Sequence, residues 1–367
     1  MRNERKVRRR RSLLCLAVVA TFVAVTTACG GGSASGELTS ITLADGAQNL
    51  SAFNAPYDVF AKDRYWKESG FEVTPQFTQG GTQSVQLVAS GKADVSVVGL
   101  SSALQVAAQS PSVKIIAITG GNIWQMAVPE QSAIRELADL KGKTIGVQAL
   151  NTGQYLYNRA ALEASGVDPD SDVEWLPIGT GAQAAAALDN GEVDALASYF
   201  GPLEVVGGLT RSPLRVLPTP LDDLDGSGAW IVNARVLEQH RDEIVEFMRG
   251  MSKTSIWAQQ NPQAIIQSLW DTDPATKPRD VSDADAMAST VALVSAYWSK
   301  VINFGPEGMY GVLSDEAVEK AVHFHFDKGI VEGELDIAES IDLSVARDAA
   351  DYDVEGIRAA AGQGNAP

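Results

Sequence analysis

Two segments of this chain repeat one pattern at an offset of 100 residues. Gly81-Thr82-Gln83 leads through a short apolar helical stretch to Gly91-Lys92-Ala93-Asp94, and Gly181-Ala182-Gln183 leads through another to Gly191-Glu192-Val193-Asp194. Each reads as a glycine loop, a helix N-terminus, a glycine C-cap and a strand opened by Asp. Two common βα patterns can coincide; as a repeat, the pair implies two similar α/β lobes. Strand-type runs at 41–44, 71–74, 95–98, 115–118, 143–147 and 230–232 alternate with helical patterns, including 55–68 with Tyr57, Phe60, Ala61 and Arg64 at helical spacing. This alternation predicts βαβ units and mostly parallel sheets. After Arg235 the pattern is helical, over 236–258, 263–270, 284–298 and 314–328, and the Ala-, Asp- and Gly-rich stretch after Asp342 reads as a loosely packed tail.

The N-terminus is of a different kind. Arg2, Arg5, Lys6 and Arg8 to Arg11 precede an apolar run from Leu13 to Val25, which small residues close at Thr26-Thr27-Ala28-Cys29. That order is an export signal over residues 1–28, and its apolar run is shorter than the about 20 residues of a membrane span. Cys29 then meets Gly30-Gly31-Gly32-Ser33-Ala34-Ser35-Gly36, so 29–37 reads as a flexible tether. The junction resembles a bacterial lipoprotein signal, with Thr26 where that pattern has Leu, and this implies lipidation of Cys29 and anchorage to the outer face of the cell membrane. Plain secretion with a free thiol is the alternative. Arg10-Arg11 offers a faint twin-arginine motif beside the plainer reading of a basic leader.

Cys15 leaves with the signal, so no disulfide, cysteine nucleophile or cysteine metal site is expected. The whole chain, 367 residues with a net charge of −17, lacks the basic footprint that nucleic acid requires. Without its seven basic leader residues and Glu4 it carries 22 basic against 45 acidic residues, a charge of −23.

From Ser40 to Asp342 the order of segments resembles the substrate-binding proteins of ABC importers for sulfonates, taurine, nitrate and thiamine precursors. The residues that carry the likeness are Gly80-Gly81-Thr82-Gln83, Ser90-Gly91-Lys92-Ala93-Asp94-Val95, Val98-Gly99-Leu100-Ser101-Ser102 and Leu137 to Val147. Gly191-Glu192-Val193-Asp194-Ala195, Tyr199-Phe200-Gly201-Pro202 and Leu313 to Val318 add to them. The resemblance implies a two-lobed periplasmic-binding-protein-like fold of class II, two doubly wound lobes joined by two hinge crossings. The crossings are expected near Ala127-Val128 and Leu221-Asp222, giving lobe 1 over 38–127 and 222–342, lobe 2 over 128–221 and a tail over 343–367. It further implies a monomer that hands its solute to an ABC permease.

In doubly wound sheets ligands sit beyond the carboxyl ends of strands, beside helix N-termini. The candidates there are Asp45, Gln48, Thr82, Gln83, Ser101, Ser102, Asn122, Thr152, Gly153, Gln154, Tyr155, Thr180 and Tyr199, with Phe200 and Trp230 alongside. None is Lys, Arg or His, so free backbone N–H groups at helix N-termini are the expected anion donors. The hydroxyl and amide side chains equally suit helix capping, and the aromatics equally suit the core. The expected solute is a small organic anion, a sulfonate or an aromatic carboxylate. Asp45 opposes a bare anion if it faces the cleft, where an amine-bearing solute such as taurine or a pyrimidine fits better.

An enzyme is the rival class. A pyrimidine-precursor synthase of the same fold uses a sacrificial histidine and a cysteine-rich motif, whereas here His occurs only at His240, His323 and His325. No G-x-S-x-G, P-loop or Cys/His metal spacing is present, and no catalytic residue, metal or cofactor is expected. A ligand-sensing lipoprotein, or a binder of nitrate or a thiamine precursor, remains a further alternative.

Overall fold

The computed structural model describes residues 38–150, 152–302, 304–305 and 308–364. The signal over 1–28 and the tether over 29–37, with Cys29, lie outside the described residues. The chain begins with β1 (Ser40–Asp45), a π-type helix (Pro56–Trp66), β2 (Glu72–Phe77), α1 (Gly81–Ala89), β3 (Val95–Gly99), α2 (Leu100–Ala107) and β4 (Val113–Thr119). It continues through β5 (Trp124–Pro129), β6 (Lys143–Val147), α3 (Gly153–Ala164), β7 (Val173–Pro177), α4 (Ala182–Asp189), β8 (Ala195–Tyr199), α5 (Pro202–Gly207) and β9 (Leu214–Val216). Then come β10 (Gly228–Asn233), α6 (Ala234–Gln239), α7 (Arg241–Gln260), α8 (Pro262–Thr272), α9 (Asp283–Val301), α10 (Asp315–Asp327), α11 (Ile337–Ser340), α12 (Ser344–Ala349) and α13 (Val354–Gly362).

Two five-stranded sheets form, in the orders β2-β1-β3-β10-β4 and β7-β6-β8-β5-β9. Position by position they match: three parallel strands, then an antiparallel strand contributed from across the crossing. The sequence repeat occupies equivalent places, since α1 joins β2 to β3 and α4 joins β7 to β8. Its two aspartates do the same work. Asp94 Oδ2 accepts from the Thr42 N–H at 2.7 Å, and Asp194 Oδ2 accepts from the Thr144 N–H at 3.0 Å, so each ties the early part of the middle parallel strand of its own sheet, β1 and β6.

The first passage between sheets differs from the expected Ala127-Val128. β5 pairs with β8 and β9, so residues 124–127 already belong to the second sheet and the crossing lies between Thr119 and Trp124. The alternating β5 pattern suits either sheet; the pairing that closes first decides. The return runs between Val216 and Gly228 and includes the expected Leu221-Asp222. The two passages are tied, because Gly226 N–H donates to the Gly120 carbonyl at 2.7 Å and Asn122 Nδ2 to Asp222 Oδ1 at 3.2 Å.

Two other expectations change. Over 56–66 the helix is of π type, in which the backbone N–H bonds the carbonyl five residues back, as Lys67 N–H does to Lys62; Phe60 and Ala61 of the expected helical face are buried, whereas Tyr57 and Arg64 are only partly so. The expected loose tail instead carries α12 and α13, which pack on α7 and bury Val345, Ala346, Ala349 and Ala361. One apolar core lies between the first sheet and α7, α8 and α9. A second runs from α1 and α2 through α10 to α3 and the β6–β8 edge, joining the two lobes along one side.

Candidate ligand-binding cleft

Between the sheets lies a cavity of about 510 Å³ whose walls come from both. This volume lies within the usual range for small-molecule sites. Gly81 of α1 and Ser102 of α2 meet at one corner of the first lobe, with Ser101 beside them, and the start of α3 at Gly153 lines the same cavity from the second lobe. Gly80 and Gly99 precede α1 and α2 and offer no side-chain cap; the Leu100 N–H of α2 donates to the Ser227 carbonyl at 3.1 Å, and the N–H groups that follow it, with those of the first turn of α1, are left for a ligand. A Cβ at Gly81 would lie 2.8 Å from Ser102 Oγ, so only glycine lets α1 and α2 start this close together.

Beside that corner stands Asp45, at the carboxyl end of β1 and 2% exposed. Its Oδ1 accepts from the Ala47 N–H and its Oδ2 from Asn54 Nδ2, both at 2.8 Å. Asn54 is held in turn by the Ser51 N–H at 2.7 Å. Asp58, also 2% exposed, lies close enough to feel Asp45; burial, with that negative charge second, pushes its carboxyl well above the usual range.

The remaining walls are aromatic. Phe53 meets Tyr297 edge-on at 5.0 Å, and Trp124 meets Tyr199 at 5.7 Å. Burial raises the phenol of Tyr297 to about 12 and that of Tyr57 well above its ordinary value, with Asp45 adding to both, so these hydroxyls keep their protons. Trp124 stacks on Tyr157 at 4.2 Å, and the Tyr157 hydroxyl bonds His325 Nε2 beneath it. With its proton on Nδ1, His325 donates to the Ala321 carbonyl at 2.6 Å, and burial lowers its pKa to about 4.

Of the candidates read from sequence, the cavity brings together Asp45, Ser101, Ser102, Trp-adjacent Gly153 and Tyr199. The others stand elsewhere. Gln48, Thr82 and Gln83 are exposed, and Gln83 Oε1 accepts from the Gln79 N–H of its own loop. Asn122 ties the crossings, and Thr152 caps α3 by accepting from the Tyr155 N–H at 3.4 Å. Gln154 and Thr180 line a separate cavity of about 20 Å³ within the second lobe. Tyr155 turns outward to Trp175 and Arg159. Phe200 stacks behind Tyr297, and Trp230 is fully buried, donating to the Tyr310 hydroxyl at 2.9 Å.

Sequence reasoning missed the lining residues Asn54, Tyr57, Tyr297, Trp298 and Tyr310. Asn54 comes from the far part of the loop after β1, Tyr57 from the π-type helix, and the others from the end of α9 and beyond, and only the adjacent pair Tyr297-Trp298 closing a helix hints at them.

Among the described residues no helix is long and apolar enough to cross a membrane. Residues 55–265, more than half of the chain, match the family described as NMT1/THI5 like. A Bacillus subtilis (strain 168) protein that carries the name of an aliphatic sulfonates-binding protein is 24% identical over 340 residues, covering 89% of this chain and 94% of its own. The periplasmic aliphatic sulphonate binding protein SsuA from Escherichia coli shares the fold at a TM-score of 0.61 and 16% identity, over 82% of this chain and 91% of that one. The alkanesulfonate-binding protein SsuA from Xanthomonas axonopodis pv. citri, bound to MOPS, does so at 0.57 and 16%, over 83% and 98%. With two matched sheets, a cavity between them and this likeness over most of its length, the chain belongs to the NMT1/THI5-like family and has the two-lobed fold of periplasmic binding proteins.

Proposed function

We propose that this chain is the solute-binding lipoprotein of an ABC importer, exported, anchored outside the cell membrane through Cys29, and acting as a monomer that delivers a small organic acid to a membrane permease. The N-termini of α1, α2 and α3, which line one cavity from both lobes, carry the reading. A sulfonate or carboxylate there accepts backbone N–H donors from both lobes and the favourable ends of three helix dipoles, without a basic side chain. Charge-assisted hydrogen bonds contribute about 1.5–3 kcal/mol each. A few of them, with the aromatic walls around an apolar or aromatic body, reach the about −8 kcal/mol of micromolar binding.

The likeness to sulfonate-binding proteins supports a sulfonate as the acid. Among the described lining residues no nucleophile is paired with a base, and His325 is buried against Tyr157 and Ala321, which supports capture without turnover. Because the acid group touches both lobes, it favours the closed arrangement over the open one. A thermal-shift panel of alkane- and arenesulfonates and aromatic carboxylates tests this: at least one acid raises the melting temperature, and its saturation shrinks the radius of gyration measured by X-ray scattering. Stabilisation by neutral sugars alone, with no response to any acid, refutes it.

A further inference from the structure

Of the chain's eight tyrosines, Tyr65, Tyr155, Tyr157, Tyr310 and Tyr352 each hold their hydroxyl in a hydrogen bond to another side chain. The three whose hydroxyls bond no described residue, Tyr57, Tyr199 and Tyr297, all line the cavity. They come from both lobes: Tyr199 ends β8 of the second sheet, while Tyr57 on the π-type helix and Tyr297 on α9 pack against the core of the first. Tyr57 and Tyr297 lie near enough to Asp45 to register its charge, and Tyr297 near enough to Tyr199, so three hydroxyls and one carboxylate share one part of the cavity. Burial raises all three phenols, so each keeps a proton to donate. Largely buried polar groups normally find partners, and a few convergent ones in a ring-lined pocket fix a ligand's orientation.

The group that suits this cluster must accept from phenol hydroxyls and donate to a carboxylate. An ammonium accepts nothing, a second acid is repelled by Asp45, and an alkyl end leaves the phenols unpaired; a hydroxyl both accepts and donates. The wall also holds Phe53 and Trp298 from the first lobe and Trp124 from the second, which suit a flat aromatic body. We propose that the solute is an aromatic acid bearing a ring hydroxyl, which seats between the Tyr199 and Tyr297 hydroxyls of opposite lobes, beside Tyr57 and Asp45. The proposal rests on the reading that helix N-termini capture the acid group. The ring hydroxyl then touches both lobes, as the acid group does, and adds to the preference for the closed arrangement.

Three probes at neutral pH separate the hydroxyl subsite from the acid reading: 4-hydroxybenzenesulfonate, toluene-4-sulfonate, in which a methyl replaces the hydroxyl, and butane-1-sulfonate, which has no ring. Each is titrated calorimetrically into the mature chain and into Tyr199→Phe and Tyr297→Phe, which keep the rings and remove only the hydroxyls. Expected is about tenfold tighter binding of 4-hydroxybenzenesulfonate than of toluene-4-sulfonate by the wild type, with the gap cut to below about threefold in each variant. A wild-type gap below about threefold, or a reversed one, overturns the hydroxyl subsite and leaves the acid reading standing. A gap that persists in either variant overturns the assignment to this pair of tyrosines. Binding of butane-1-sulfonate without either arenesulfonate overturns the aromatic class and leaves the acid reading standing, and no binding of any probe at millimolar concentration overturns both. If a variant fails to fold by circular dichroism, the other variant and the wild-type comparison decide.

Discussion

Burial settles the charge of two side chains, with opposite consequences for stability. His325 takes up its proton near 6.5 in the unfolded chain but only at about 4 when folded. Stability is therefore complete above 6.5 and falls as pH drops toward 4, by about 3 kcal/mol from that single group. Melting temperatures between pH 7 and 4 should trace this decline, and His325→Gln should flatten it. Asp58 runs the other way: its carboxyl is raised by burial and by Asp45, so the folded protein keeps a proton the unfolded one gives up, and stability declines as pH climbs past the ordinary carboxylate range. Asp58→Asn should remove that decline, seen as a urea midpoint higher than wild type at pH 8 and closer to it at pH 4. Asp45 is legible in sequence as a strand-end acid; its place in the cavity wall comes from the fold. The roles of Asn122, Thr152 and Trp230 were not, because a polar or aromatic residue at a strand end can cap, tie or pack, and only its neighbours decide which.

The repeated aspartates make a prediction that belongs to the elements. Asp94 and Asp194 each hold the middle parallel strand of one sheet, β1 or β6, through a carboxylate-to-N–H bond in a part-buried setting. Asp94→Ala and Asp194→Ala should each lower stability by about 1–2 kcal/mol, and the two losses should add, because the sites lie in different sheets with no shared partner. Chemical denaturation of the singles and the double checks this. Gly250 of α7 is a sterner case. A Cβ there would lie 2.6 Å from the Trp66 ring, so Gly250→Ala should cost about 1–3 kcal/mol by overpacking the seam between α7 and the π-type helix. Strand positions and the long C-terminal helices were readable from periodicity, whereas the π-type hydrogen bonding of 56–66 and the packing of α12 and α13 were not. Both follow from the surface offered by α7, which local spacing does not contain.

For the whole molecule, closure depends on two passages lying side by side, and Asn122 to Asp222 is the side-chain bond between them. Asp222→Ala should free the lobes and weaken solute binding about threefold, since apparent affinity scales with the fraction of closed protein, while the bonds of Asn122 to the main chain of the wall residue Trp124 stay in place. Titration of tryptophan fluorescence reports it, because Trp124 and Trp298 both face the cavity. The sequence by itself determined the class of the molecule: a repeat of strand, helix and glycine punctuation 100 residues apart specifies two α/β lobes, since such periodicities are local and survive without their partners. Tertiary structure alone decided to which sheet β5 belongs and which aromatic residues from α9 and the π-type helix complete the cavity. It also decided that Asp45 stands there without a cation. Those outcomes turn on contacts between segments up to 250 residues apart, and no local pattern carries information about a partner that distant.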